Sequence, residues 1–470
     1  MKTNRRLAWK YYSKIRDNVK PDMGLYFKPA AERSFWDAFL KDEILNVPGE
    51  YLIRMAEELL KEEYPVILSS DYREFSKNGN REHFEEKYFK RRRMLGSLVL
   101  AECIEHKGRF TDKLIDGLYL ILEETSWCLP AHNSYIRDTK QLPLPDKERP
   151  VIDLFAAETA ELLGITEYLL REELSEVSSL INAYVEGELG KRIFTPYLTE
   201  HFWWMGNGEE PLLNWTPWIT QNVLLSFFTR REGLLSTEEL KRALEQAVLS
   251  IDDFMADYGD DGCCNEGAQY YSHAGLCLFG CIDVLDRITG NGFSGLYKEP
   301  LIGNIAAYIM RMYAGNGYYI NFADCSPFPG RRSVRDYLFG LRVGNGAYAS
   351  FARADFQSLD TEGRVMSGEQ NLYYRLLSLE HYGELFAPSP LKEAEPWETE
   401  DFFFESTGLM IARDHTFTLA AKAGDNADSH NHNDVGSITL YKNKLPYLID
   451  LGVETYTAKT FSPERYEIWT

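Results

Sequence analysis

The sequence predicts two domains of different class: a long helical part whose antiparallel hairpins lie in an arc or ring, followed by a shorter antiparallel β part. Three observations carry this. From about Ser34 to Tyr382 the apolar residues recur at helical spacing. Near Glu384 the texture changes to Pro388, Pro390 and Pro396 with Lys392, Glu393 and Glu395, a polar linker. After Asp401 short segments alternate like strands. The predicted boundaries are a helical domain over 1–385, a linker over 386–400 and a β domain over 401–470.

Helical segments are predicted at about 35–60, 87–105, 111–126, 151–166, 214–230, 267–288 and 300–314. Ser236-Thr-Glu-Glu239 is a capping box ahead of Leu240, Ala243, Leu244, Ala247, Val248 and Ile251. Val177, Leu180, Ile181, Tyr184 and Val185 form the stripe of a helix with one buried face. No motif repeats at a fixed period, which argues against a solenoid with readable repeats. The aromatic-rich connectors 126–150, 201–214 and 259–266 are long for a compact helical domain, and such loops tend to be functional. Strands are predicted at 402–406, 409–413, 416–423, 436–442 and 445–450. The last segment, Arg465-Tyr-Glu-Ile-Trp-Thr470, stops inside what reads as another strand, so the β domain is expected to be C-terminally truncated, a fragment of a longer protein.

A length of 470 residues suits two domains, and a net charge of -21 with pI near 5.0 argues against nucleic acid or an anionic membrane as partner. An acidic substrate must then meet a local basic patch, with Lys90-Arg-Arg-Arg93 and Arg331, Arg332 and Arg335 as candidates. Aromatic residues make up 14%, which serves stacking on sugars and core packing equally well. The seven cysteines form no zinc-type CxxC pair and leave an odd one, so all are expected reduced, as in the cytoplasm. The opening residues hold no apolar h-region, and no run of about 18 apolar residues occurs. A periplasmic or secreted location fits only if the N-terminus has been trimmed. Oligomeric state is not readable.

Polar groups crowd the stretch 428–434, directly before a buried-looking strand. On a strand His430 and His432 face the same side, and a hairpin return brings Asp450 beside them. Two imidazoles and a carboxylate suit zinc, one ligand short of a closed site; otherwise His430 does chemistry instead, or the pair is merely hydrogen-bonded. The helical part has three further candidates. The first is the loop presenting Trp127, His132 and Asn133. The second is Asn214-Trp-Thr-Pro, where Asn214 also reads as a helix cap. The third is the acidic Gly-rich turn leading to Glu266, Tyr270 and Tyr271, adjacent tyrosines pointing about 100° apart so that at least one lines the turn.

The run Ser429-His-Asn-His-Asn-Asp-Val-Gly, with Asp450-Leu-Gly and Phe461-Ser-Pro-Glu-Arg-Tyr466, resembles the C-terminal signature of the heparinase II/III-like polysaccharide lyases, a group that includes oligoalginate lyases. Asn214-Trp and Asp261-Gly with Glu266-Gly-Ala-Gln-Tyr270 resemble that group's helical motifs, in the same order. The resemblance implies an incomplete (α/α) toroid followed by an antiparallel β-sandwich, with the cleft between them. It implies β-elimination on an acidic, uronic-acid-containing polysaccharide of glycosaminoglycan type, giving a 4,5-unsaturated uronate. It assigns Asn214 as the neutralising amide, Tyr270 and His430 as acid and base, and Tyr466 as a second tyrosine. Trp127, His132, Trp215, Glu266, Tyr271 and Arg465 are expected to contact substrate. His432 and Asp450 match ligands of a structural Zn2+, whose third ligand would follow Thr470. Which of Tyr270 and His430 is the base depends on the C5 epimer. The Trp at 215, where some members have His, moves a donor role to His132. The rivals are a toroidal glycoside hydrolase using Asp252, Asp253, Asp257, Asp260, Asp261 or Glu266, a non-catalytic polysaccharide-binding protein, and a cupin-like metal enzyme.

Overall fold

The computed structural model describes residues 6–17, 27–137, 139–207, 209, 211–389, 391, 400–424, 426, 432, 435–450 and 452. The principal helices are α1 (Leu7–Ile15), α2 (Asn46–Leu59), α3 (Glu82–Glu105), α4 (Thr111–Leu122), α5 (Leu154–Leu169), α6 (Ser179–Leu189), α7 (Trp215–Phe228), α8 (Thr237–Asp257), α9 (Gly275–Ile288), α10 (Pro300–Arg311), α11 (Val334–Arg342), α12 (Gly346–Ser358) and α13 (Leu372–Glu380). A short hairpin, β1 (Tyr313–Gly315) and β2 (Tyr318–Tyr319), follows α10. The C-terminal strands are β3 (Phe402–Phe404), β4 (Leu409–Arg413), β5 (Phe417–Lys422), β6 (Ile438–Lys442) and β7 (Leu445–Leu448).

The helices build a toroid. α5 packs on α7, α7 on α9, α9 on α11 and α11 on α13, and α13 returns to α5, closing an inner ring. Outside it, α6 lies on α5, α8 on α7 and α12 on α11. Residue patterning explains which helix goes where. α7 is buried at every position after Trp215, the polar Thr216, Thr220, Gln221, Asn222 and Ser226 included, as a helix of the inner ring. α8 instead buries Leu240, Ala243, Leu244, Ala247, Val248 and Ile251 along one face. Its start is fixed by the capping box: Ser236 Oγ accepts the Glu239 N–H at 3.2 Å and Glu239 Oε2 accepts the Ser236 N–H at 2.8 Å.

Two helical expectations need correction. The stripe from Val177 to Val185 is broken at Ser178, whose extended backbone ends one helix while its Oγ accepts the Leu180 N–H at 3.2 Å to start α6. Val177 and Leu180 are consequently exposed, and only Ile181 and Val185 are buried. The segment 267–288 is helical only from Gly275; before it runs a loop with a single tight turn, Tyr270–Ser272. Gly262 and Gly267, at φ +73° and +91°, hold that loop in the left-handed region open to glycine.

The C-terminal strands form one antiparallel meander in the order β3-β4-β5-β6-β7. The five strands fall within the five predicted segments. The sheet sits on the end of α10: Arg413 donates to the Arg311 carbonyl and, at 3.0 Å, to the Tyr313 carbonyl, while Phe404 meets Tyr308 edge-on at 5.5 Å. Tyr441 Oη donates to the Tyr319 carbonyl at 3.1 Å. Most of the expected linker lies outside the described residues. All seven cysteines are buried thiols outside any disulfide, and no described helix is long and apolar enough to cross a membrane.

Candidate active site

The first turns of the inner helices gather at one end of the toroid, cross-linked to one another. His132 Nδ1 contacts Asp153, the N-cap of α5, at 2.9 Å, and its ring meets Trp215 of α7 edge-on at 4.8 Å. Trp218 of α7 stacks on His273, just before α9, at 4.0 Å. Arg335 of α11 donates to the Ser272 carbonyl at 3.2 Å. Gln370 and Asn371, leading into α13, reach Glu158 of α5 at 3.1 and 3.5 Å. Helix N-termini carry partial positive charge, and the buried carboxyl groups of Asp153, Glu158 and Glu266 lie at this same end.

Asn214 precedes α7, yet its side chain caps nothing. Instead its backbone N–H and its Nδ2 donate to the two oxygens of Glu266, at 3.0 and 2.6 Å, with both residues buried. Glu266, expected to touch substrate, is thus the anchor beneath Asn214. Tyr270 follows four residues on and is partly exposed. Beside them Trp203 and Trp215, 5.1 Å apart, form an aromatic wall with the Arg137 guanidinium 4.5 Å over Trp203.

The turn bearing Tyr270 is packed on the loop 322–326. A Cβ on Gly267 would stand 2.7 Å from the Phe322 carbonyl oxygen, and Gln269 Oε1 accepts the Ser326 N–H at 2.7 Å. The β part reaches that same loop. Buried His432 contacts Asp324 Oδ1 through Nε2 at 2.9 Å, and Asn321 Nδ2 donates to the Asp450 carbonyl at 3.3 Å. The Tyr270 turn and the segments carrying His432 and Asp450 therefore converge on one loop of the helical part. The acidic turn adds a second clasp: Asp261 accepts the Ser406 N–H and Oγ–H, both at 2.8 Å.

His430, Arg465 and Tyr466 lie outside the described residues. Trp127 and Tyr271, expected to face substrate, are interior residues. The Trp127 indole donates to the Ile121 carbonyl at 2.9 Å and is 2% exposed; Tyr271 is fully buried with its hydroxyl 3.2 Å from that of Tyr348. Of the adjacent tyrosines, only Tyr270 lines the turn. The expected basic patches are largely paired: Arg91 and Arg92 share Glu124, Lys90 meets Glu62 at 2.7 Å, and Arg331 meets Asp355 at 3.1 Å.

Donor chemistry at His432 and Asp450 suits zinc, but among the described residues no three His, Cys, Asp or Glu side chains group to hold a metal. His432 with a buried carboxylate on Nε2 is the arrangement that orients an imidazole toward a metal through its other nitrogen. Asp324 was missed from the sequence, as were Glu158, Trp218 and His273. Trp218 and His273 could have been found, since each lies within four residues of a named candidate.

Residues 398–468 match the family model described as heparinase II/III-like, C-terminal. No curated protein matches the sequence. Among solved structures, a mutant of the heparan sulfate lyase HepC of Pedobacter heparinus aligns at 10% identity and TM-score 0.44 over 97% of this chain and 66% of that one. A heparinase III aligns at 12% and 0.44 over 92% and 68%, and a mutant chondroitin AC lyase of Streptomyces coelicolor A3 at 12% and 0.43 over 84% and 57%. The chain thus spans just under two thirds of the HepC structure's length. The likeness of this chain to the heparinase II/III-like family thus rests on its residues 398–468, which match that family's C-terminal model.

Proposed function

We propose that this protein is a polysaccharide lyase that cleaves uronic-acid-containing polysaccharides of glycosaminoglycan type by β-elimination. The observation that carries the reading is the buried Asn214 amide, fixed at two points by Glu266 beside the Tyr270 turn. The C5 proton of a uronate becomes acidic enough to remove only when the carboxylate next to it is neutralised, and a fixed amide N–H is a suitable donor. One Nδ2 hydrogen goes to Glu266; the other is the donor proposed for the substrate.

In the reaction, a base takes the C5 proton, the C5–H electrons form the C4–C5 double bond, the C4–O4 bond breaks, and an acid gives O4 a proton. Tyr270 and His430 are proposed for these roles, with Tyr466 as a further acid or base. His132, Trp215 and Arg465 are proposed to hold the sugar chain. His432 and Asp450 are the donors the chain would offer a zinc ion, which would tie down the His430 segment and supply no chemistry to the elimination.

The test is to incubate the protein with heparan sulfate, heparin, hyaluronan, chondroitin and alginate, with zinc supplied, and follow ultraviolet absorbance from the unsaturated product. We expect a signal with at least one polymer and none after Tyr270→Phe. Silence across the panel sinks the proposal. Release of saturated sugar instead would favour the toroidal glycoside hydrolase.

A further inference from the structure

His273 closes the same turn as Tyr270. Its backbone N–H donates to the Tyr270 carbonyl at 2.9 Å, and the two ring centres stand 6.4 Å apart. Trp218 covers one face of the imidazole at 4.0 Å and 27°, and is itself pinned by its indole N–H, which donates to Glu158 at 2.8 Å. The ring is therefore held in one orientation.

Its tautomer is held too. Ser272 Oγ has a single hydrogen, which it donates to the Gln269 carbonyl at 3.0 Å. With that hydrogen so placed, the 3.1 Å contact between Ser272 Oγ and His273 Nδ1 is donated by the ring. The proton sits on Nδ1, so Nε2 carries a lone pair. His273 is partly exposed, and among the described residues nothing bonds to Nε2. Burial, reinforced by the Arg335 guanidinium, keeps the ring neutral, its pKa pushed down to about 3.

A neutral imidazole with its proton on Nδ1 can only accept at Nε2. It cannot meet a carboxylate or a sulfate, whose oxygens are acceptors as well. We infer that His273 is a specificity residue whose Nε2 accepts a hydrogen bond from an unsubstituted hydroxyl of the sugar docked against Tyr270, so that the substrate is unsulfated at that position. The inference rests on the uronic-acid reading above and narrows it to sugars bearing a free hydroxyl there.

The test uses the intact protein carrying Tyr270→Phe to stop turnover, with and without His273→Phe, which keeps a ring on Trp218 and removes the lone pair. Titration calorimetry compares an unsulfated uronic-acid tetrasaccharide with its O-sulfated counterpart. Loss of one hydrogen bond should weaken binding of the unsulfated sugar about tenfold and leave the sulfated one within about twofold. Nitrogen-15 NMR of the histidine rings should show the proton on Nδ1 and no titration near neutral pH.

Equal weakening of both sugars, no weakening, no binding of either, or a ring protonated on Nε2 overturns the inference. Product formation by the unsubstituted protein is read separately. Discrimination without any unsaturated product keeps the inference and sinks the lyase reading, while product without discrimination does the reverse.

Discussion

Asn214 and Glu266 meet through two parallel hydrogen bonds, 3.0 Å from the backbone N–H and 2.6 Å from the side-chain amide, at a helix start where an asparagine would ordinarily cap its own helix. The carboxylate thus spends both oxygens on fixing one amide. Glu266→Gln must turn an NH2 group toward one of those two donors and breaks the pair. We expect kcat to fall about a hundredfold, the size of losing one fixed donor to a developing charge, with KM little changed. Steady-state kinetics alongside a melting curve checks this, and an unfolded variant would show as a collapse in both.

His432 and Asp324 are each buried, and they join the β part to the helical loop across 108 positions of sequence. Removing one partner leaves a polar group buried without its counterpart. Asp324→Ala removes that partner altogether and should destabilise the protein by about 2 kcal/mol. Urea unfolding measures it, and a double-mutant cycle with His432→Gln should show coupling above about 1 kcal/mol. Additive effects would mean that the contact holds nothing.

How much of this was legible in the sequence depends on how local each signal is. The capping box at Ser236 is complete within four residues, and the structure has it as predicted. Asn214 and Tyr270 stood out because their motifs are short and ordered. Asp324 could not be found, since it is a lone carboxylate whose partner is distant in the chain. That one of Tyr270 and Tyr271 lines the turn followed from helix geometry; which one depends on Tyr348, far downstream, filling the space beside Tyr271. Val177 to Val185 misled because apolar periodicity carried across Ser178, where a side-chain cap restarts the helix.

Asp261 holds the β part to the helical part through two bonds from Ser406, with a third from the Cys263 N–H at 3.0 Å. Asp261→Ala removes these and should loosen the sheet by about 2 kcal/mol, the scale of hydrogen bonds to a charged group. Hydrogen exchange should then quicken at Phe402–Phe404 and Leu409–Arg413, with α7 and α9 unchanged. Gly262→Ala should act more severely, because its Cβ would stand 2.4 Å from the Asn304 carbonyl carbon at a φ of +73°. Unaltered exchange in both variants would show that the sheet is held elsewhere.

Glu158 sets a pH dependence on stability. Burial, with the nearby charge of Glu369, pushes its carboxyl up to about 7 against the donors Trp218, Gln370 and Asn371, which favour the ionised form. An unfolded glutamate loses its proton near 4.5, so between 4.5 and about 7 the native state binds more protons than the unfolded one. The contribution is fully present below pH 4.5 and is lost as pH rises through about 7. Asp252, pushed up to about 6 chiefly by burial, works in the same direction. The informative quantity is therefore the difference between parent and Glu158→Gln, not the parent curve alone. Glutamine keeps the shape and cannot ionise, so its unfolding free energy should fall less from pH 5 to pH 8, and the two curves should diverge toward alkaline pH. Parallel curves across that range would place the ionisation of Glu158 outside it and remove the carboxyl from this account.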